Sequence, residues 1–261
     1  LIVFYQWHKS ILQDEILTRL TTVANSQNKN ITTFVKEKIN NVTSLAKMPF
    51  VLDALEAYNT GFEKGVDSSA YKTADLQYSV NFDQYKNQYE FHDLFLISKN
   101  ADIVFTVVKE DDFADNLRTN TNKNSELANV FENATNTFET VISKFQYYAP
   151  SQKPALFIGT PIVKSGEFIG VVAIQIEDVV LYDLSMSFIG LGETGEVVLG
   201  ARNDSRVDFV APLRHDTNVT FQRKLELGSP NALPIQNAVQ GTKGSGISID
   251  YRGEEIIAVW R

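Results

Sequence analysis

Residue types that usually carry chemistry are scarce and scattered in this 261-residue sequence. The three histidines are His8, His92 and His215, and no two are spaced to share a metal ion. Gly190-Leu191-Gly192-Glu193-Thr194-Gly195 matches the letter pattern of a dinucleotide loop. That loop works only with a strand before it and a helix after it, so that the helix N-terminus faces the pyrophosphate. Here a helix-like segment comes first and the strand-like Val197-Val198-Leu199 follows. The run therefore reads as a glycine-rich joint that opens a sheet. Asp111-Asp112 and Glu254-Glu255 are adjacent acid pairs. Neighbouring side chains in extended chain point apart, which suits solvated turns better than shared proton chemistry. Cysteine is absent, so disulfides, thiolate catalysis and iron–sulfur clusters are excluded. No catalytic constellation emerges, and no cofactor or metal site is expected.

A candidate binding pocket remains. Asp93 interrupts the apolar run Phe91-His92-Asp93-Leu94-Phe95. A buried carboxylate needs partners, so Asp93 meets either a donor inside the fold or a ligand. Tyr147 and Tyr148 stand beside Ala149-Pro150 just before a strand-like segment. Aromatic walls with a few polar handles are what small-ligand pockets use. Ala173 and Gln175 share a small, polar strand face, which leaves room, and Phe157 and Gly159 share a face of the neighbouring strand. Phe105 and Asp112 complete the candidate set. Ordinary core and rim positions are the competing reading for each of these residues.

Three kinds of element must position them. Residues 5–47 contain no Pro and no Gly, and apolar residues recur in steps of three and four from Leu12 through Ile16, Leu20 and Val23, then from Ile31 to Val42. The period is helical, and about 40 residues at 1.5 Å each make a rod of about 60 Å. The polar stretch Asn25-Ser26-Gln27-Asn28-Lys29-Asn30 is the place where two shorter helices could meet instead. A second helix runs from Val51 towards Gly61, a polar loop covers 59–75, and a short helix follows over 76–89. Strand-like 91–97 and 103–108 flank Ser98-Lys99-Asn100-Ala101-Asp102 and predict a hairpin. A helix is predicted over 125–145, a second hairpin over 155–161 and 168–176, and a short connecting helix over 177–187. The pattern then recurs, with strands at 196–199 and 207–210, a helix at 233–239, and a hairpin from 246–251 and 255–260. The turn of 165–172 is similar to that of 252–259. Repetition of hairpin, helix and hairpin predicts an α+β chain of two related modules, each an antiparallel sheet flanked by helices, behind one long N-terminal helix. The expected boundaries are 1–48 for the helix, 49–178 for the first module and 179–261 for the second.

Composition limits the partners. Hydrophobic residues at 43% support a real core, while a net charge of −8 without clustered Lys or Arg argues against nucleic acid. The opening Leu1-Ile2-Val3-Phe4-Tyr5-Gln6-Trp7 combines apolar residues with the Tyr and Trp of a membrane–water boundary. It is too short to span a bilayer, and it reads as the outer end of a transmembrane helix, with a plain apolar helix start as the alternative. The strand-like ending Ile256 to Arg261 has no turn signal, and the protein is expected to continue.

Several runs resemble one family. Asp93-Leu94-Phe95-Leu96-Ile97, Tyr148-Ala149-Pro150-Ser151 with Pro154-Ala155-Leu156-Phe157-Ile158, and Gly192-Glu193-Thr194-Gly195-Glu196 are similar to segments of the double Cache sensors. Pro212-Leu213-Arg214-His215 and Asp250-Tyr251-Arg252-Gly253 add to the likeness. These sensors are tandem PAS-like extracytoplasmic domains of bacterial and archaeal histidine kinases, chemoreceptors and cyclases. The resemblance implies a membrane-distal module that binds a small molecule and a membrane-proximal module that couples to a second transmembrane helix. It further implies an inner-membrane receptor with this domain in the periplasm or outside the cell, homodimeric in full length, with a histidine kinase output favoured. The amino-acid-binding members carry an Arg-x-Trp-Tyr signature where this chain has Asp111-Asp112-Phe113-Ala114-Asp115-Asn116, so amino-acid recognition by that route is not expected. The second module lacks the family's last strand. An interaction module that takes a partner protein instead of a small molecule is the alternative.

Overall fold

The computed structural model describes residues 2–177, 182–183 and 185–261. The chain separates into two compact units, Val35–Glu177 and Leu1–Phe34 with Asp178–Arg261. Helix α1, Ile2–Leu45, contributes to both. It runs unbroken through the polar stretch at 25–30, where the Thr32 hydroxyl donates to the Asn28 carbonyl. With no Pro or Gly to interrupt them, 44 residues keep their i→i−4 bonds. Among the described residues no helix is long and apolar enough to cross a membrane.

In the unit Val35–Glu177, α2 (Pro49–Glu63) starts on a proline whose missing N–H is not needed in a first turn. Helix α3 (Ser69–Gln88) is longer than its polar sequence suggests. Ser68 caps it by accepting from the Tyr71 amide at 3.1 Å, and Tyr71, Ala74 and Phe82 bury one narrow stripe. The loop expected over 59–75 therefore shrinks to the few residues between α2 and α3. A Cβ on Gly61 would stand 2.6 Å from the Tyr71 Cα, so the absence of a side chain there is what lets α2 and α3 come together.

Strands β1 (Asp93–Ser98), β2 (Ile103–Thr106), β3 (Val141–Ile142), β4 (Gln146–Tyr148), β5 (Lys153–Lys164) and β6 (Glu167–Glu177) form one six-stranded sheet. Its order is β2-β1-β6-β5-β3, with β4 also on β5, and every pairing is antiparallel. The first hairpin turns where predicted, with the Ser98 hydroxyl donating to Asp102 Oδ2 at 3.1 Å. Helix α4 (Glu126–Thr137) covers one face and buries Leu127, Val130 and Phe131 against Phe95, Phe157 and Val171. It ends eight residues before the predicted limit. Phe138 adopts the left-handed conformation, and Val141 and Ile142 pair with β5 instead of continuing the helix. The opposite face carries Phe105, stacked 4.6 Å from Tyr58 of α2 and 5.2 Å from Phe82 of α3.

In the second unit, β7 (Gly200–Asn203), β8 (Arg206–Phe209) and β9 (Lys224–Glu226) form a three-stranded sheet, and β10 (Gly244–Ile249) pairs with β11 (Glu255–Trp260) in a separate hairpin. Helix α5 (Leu233–Val239) places Ile235 in a core with Val207, Phe209, Leu213 and Tyr251. Two sheets stand where one was expected. The strand expected at 196–199 begins at Gly200, because the preceding residues are tied into a different network. Arg214 donates to the carbonyls of Gly192 and Gly195 at 3.0 and 2.6 Å, and its guanidinium lies 3.8 Å over the Phe188 ring. Glu196 accepts from the Arg214 amide and from the Tyr251 hydroxyl at 2.9 and 2.8 Å. The glycine run is thus fastened to Arg214 through two of its carbonyls. The predicted boundary at 178/179, and part of the connecting helix expected over 177–187, fall outside the described residues.

Candidate functional site

The site is built at one end of the face that α4 covers. β1 and β6 place Asp93 directly across from Gln175 and Phe95 across from Ala173. β5 places Phe157 across from Gln175 and Gly159 across from Ala173. Alternation then puts all six side-chain positions on one face. Tyr148, from β4, turns its ring edge to Phe157 at 4.8 Å.

Asp93 is fully engaged. Its Oδ1 accepts from the amides of Leu94, Val107 and Val108 at 2.6, 3.0 and 3.1 Å, and its Oδ2 accepts from the Thr106 hydroxyl. Of the two possibilities open for it, donors inside the fold account for all its acceptor positions. The carboxylate fixes the path by which the chain leaves β2. Burial pushes its carboxyl above the usual range, and the hydrogen bonds pull it back only in part.

The chain leaving β2 carries the acids that matter more. Asp111 is exposed while Asp112 is fully buried, so the adjacent pair splits between water and interior. Asp112 Oδ2 accepts from the Tyr148 hydroxyl at 2.6 Å. Burial, with the charges of Asp93 and Glu110, pushes the Asp112 carboxyl up to about 6, against the lowering effect of that hydrogen bond. The same surroundings push the Tyr148 phenol well above its ordinary value, burial first and the Asp112 charge second. Glu110 Oε1 lies 3.0 Å from His92 Nε2, and His92 Nδ1 lies 2.6 Å from Glu177 Oε1, which also takes Lys153 at 3.0 Å. Gln175 Nε2 donates to Ser151 Oγ at 2.9 Å. Three acceptors at this end are buried and meet no donor among the described residues: Glu110 Oε2, Asp112 Oδ1 and Gln175 Oε1.

The predicted residues therefore separate. Asp93, Asp112, Tyr148, Phe157 and Gln175 come together. Gly159 and Ala173 lie farther along the same face, under α4. A Cβ on Gly159 would stand 2.3 Å from Val130 Cγ1, so the room expected there is occupied by the helix. Phe105 faces α2 and α3, one residue out of phase with Thr106 on the site side. It lines a groove of about 360 Å³ with Asp75, Asp83 and Lys109. Tyr147 is 59% exposed, because the one-residue step from Tyr148 turns it to solvent. The sequence reading missed Glu110, His92, Ser151 and Glu177. The first two sit in segments read as a solvated turn and a strand, and only the register shows that they meet. Among the described residues no three acid or histidine side chains gather closely enough to hold a metal ion.

No family model matches the sequence, and no curated protein matches it. Solved structures do. The ligand-binding domain of the Campylobacter jejuni chemoreceptor Tlp3, in complex with 4-methylisoleucine, superposes with a TM-score of 0.59 at 13% identity over 94% of this chain and 85% of that one. The chain has the fold of receptor sensing domains. The ligand-binding domain of the Pseudomonas fluorescens chemoreceptor CtaA, in complex with L-serine, gives 0.56 at 12% identity over 95% and 89%. The sensor domain of the V. cholerae histidine kinase DctB gives 0.53 at 12% identity over 77% and 67%. At these identities the likeness is one of fold.

Proposed function

We propose that this chain is the extracytoplasmic small-molecule sensor of a transmembrane receptor, with its ligand held in the unit Val35–Glu177. The observation that carries this reading is the set of buried acceptors without donors at Glu110, Asp112 and Gln175. Native interiors leave few such groups, because each costs about 1–3 kcal/mol. Beside aromatic walls they suit a ligand that brings its own donors. The site residues are Asp112, Tyr148 and Gln175, walled by Phe157, with Asp93 shaping the approach and Gly159 and Ala173 fixing the distance of α4. The unit Leu1–Phe34 with Asp178–Arg261 serves as coupling machinery. Binding acts by favouring one of two arrangements of the receptor, through a difference in affinity for the two. The receptor is anchored by flanking transmembrane helices, is homodimeric in full length, and has a histidine kinase output, which is favoured over a chemoreceptor or a cyclase. The fold likeness to the DctB sensor domain supports a kinase, and that to Tlp3 and CtaA supports a chemoreceptor. Autophosphorylation of the full receptor in membranes, changed by a ligand found in a thermal-shift screen of this chain, tests the whole reading. If no metabolite class shifts the transition, the sensor reading fails.

One observation favours a partner protein as the input instead. Leu76 and Val80 stand one turn apart on α3, at 86% and 59% exposure, and Val80 lines the groove of about 360 Å³ with Phe105 and Lys109. Leu76→Glu separates the two readings: it abolishes signalling through a partner and leaves binding of a small molecule intact.

A further inference from the structure

The chemistry of the ligand follows from what the buried end of the sheet offers, given the small-molecule reading above. Glu110 meets His92, the neighbour of Asp93, at 3.0 Å, and Asp112 meets Tyr148, whose ring packs on Phe157 across from Gln175. Asp93 has its donors, but Glu110 Oε2, Asp112 Oδ1 and the amide oxygen of Gln175 do not. Gln175 is not an acid and carries no charge. It is fully buried across from Asp93 and Phe157, and its other amide atom is used on Ser151. An interior that stacks negative charge and then adds an uncharged acceptor is short of donors, not only of positive charge.

We propose that this cluster recognises a compact organic cation bearing a primary ammonium group and no carboxylate. An ammonium presents three N–H donors, and this end of the sheet leaves Glu110 Oε2, Asp112 Oδ1 and Gln175 Oε1 without one. Two of those acceptors are carboxylate oxygens, so the bonds are charge-assisted. The edge-to-face pair Tyr148 and Phe157 supplies an apolar wall for a short alkyl chain. Basic side chains on the surrounding segments are already engaged: Lys109 with Asp75, Arg118 with Glu132 and Lys153 with Glu177. A ligand carboxylate would meet Glu110 and Asp112 instead of a cation, which costs affinity by like-charge repulsion.

Titration calorimetry on the 261-residue chain tests this with four probes of one skeleton: n-propylammonium, L-2-aminobutyrate, propanoate and 1-propanol. The expected result is heat from n-propylammonium alone. Its affinity falls about tenfold or more in Asp112→Asn and in Glu110→Gln, in line with loss of a charged hydrogen bond. Both substitutions are isosteric, and far-UV circular dichroism confirms that each variant is folded. Binding should also tighten as pH rises through about 6, where Asp112, faced by Tyr148, Asp93 and Glu110, with His92 between Glu110 and Glu177, gives up its proton. If L-2-aminobutyrate binds and n-propylammonium does not, the cation assignment is overturned while the sensor reading stands. Unchanged n-propylammonium affinity in both variants also overturns it, because the amine then binds elsewhere. If neither these probes nor a broad metabolite library shifts the thermal transition, the sensor reading falls as well.

Discussion

Replacing Asp112 with Asn should make the protein more stable at neutral pH and change nothing at low pH. The Asp112 carboxyl sits at about 6 in the folded chain against 3.8 for an ordinary Asp. A carboxyl raised in the fold binds its proton more tightly there than in the unfolded chain. Its contribution to stability is therefore fully present below pH 3.8 and is lost as pH rises through 6. The difference of roughly two pH units corresponds to about 3 kcal/mol at about 1.4 kcal/mol per unit. Asn keeps the shape and an acceptor for the Tyr148 hydroxyl but never ionises. The difference in unfolding free energy between Asp112→Asn and the natural chain should start near zero at pH 4. It should climb by about 3 kcal/mol and flatten above pH 7. Urea melts followed by far-UV circular dichroism measure it. Tryptophan fluorescence is the wrong probe, since Trp7 and Trp260 both belong to the other unit. Parallel pH profiles for the two proteins would show that Asp112 is not held in a charge-averse interior. A donor-seeking site at Asp112 would then have no electrostatic basis.

Asp93→Ala strands the Val108 amide and the Thr106 hydroxyl, and should lower the unfolding free energy by about 3 kcal/mol or more, whereas Asp93→Asn keeps an acceptor for the three amides and should cost about 1 kcal/mol in the same melts. Gly159→Ala drives a methyl into Val130 and should destabilise by about 1–3 kcal/mol, with most of the loss recovered in the double variant with Val130→Ala, a coupling that a thermodynamic cycle reads directly. Arg214→Lys loses the fork that reaches two carbonyls and the stacking on Phe188; it should cost about 1–3 kcal/mol, visible in the fluorescence of Trp260 and absent from the Val35–Glu177 unit.

Helix α1 was legible because its period is long and nothing interrupts it. The hairpins were legible where the turn has its own chemistry, as at Ser98 to Asp102. Parity was the harder quantity. Tyr147 and Tyr148 are indistinguishable as residues, and only the pairing of Tyr148 with Lys153 on β5 decides which ring enters the interior. The same one-residue question separates Asp111 from Asp112 and Phe105 from Thr106. The end of α4 was hidden for another reason. Phe138 takes a left-handed conformation that carries no glycine or asparagine signal, and tertiary packing against Phe168 at 5.9 Å holds it there. The acid cluster itself could not be read from spacing, since Asp93, Glu110, Tyr148 and Gln175 come from four separate segments.

The placement of Gln175 near the end of β6 has a mechanical meaning. Gln175 and Glu177 lie within the last three residues of that strand, and the chain then passes into the other unit at Asp178. A sensor usually needs gearing between the spot that is touched and the part that moves. Under the proposed sensor role, a load on Gln175 would fall on the backbone of β6 itself, two residues before that strand ends at Glu177, within about 10 Å of contour.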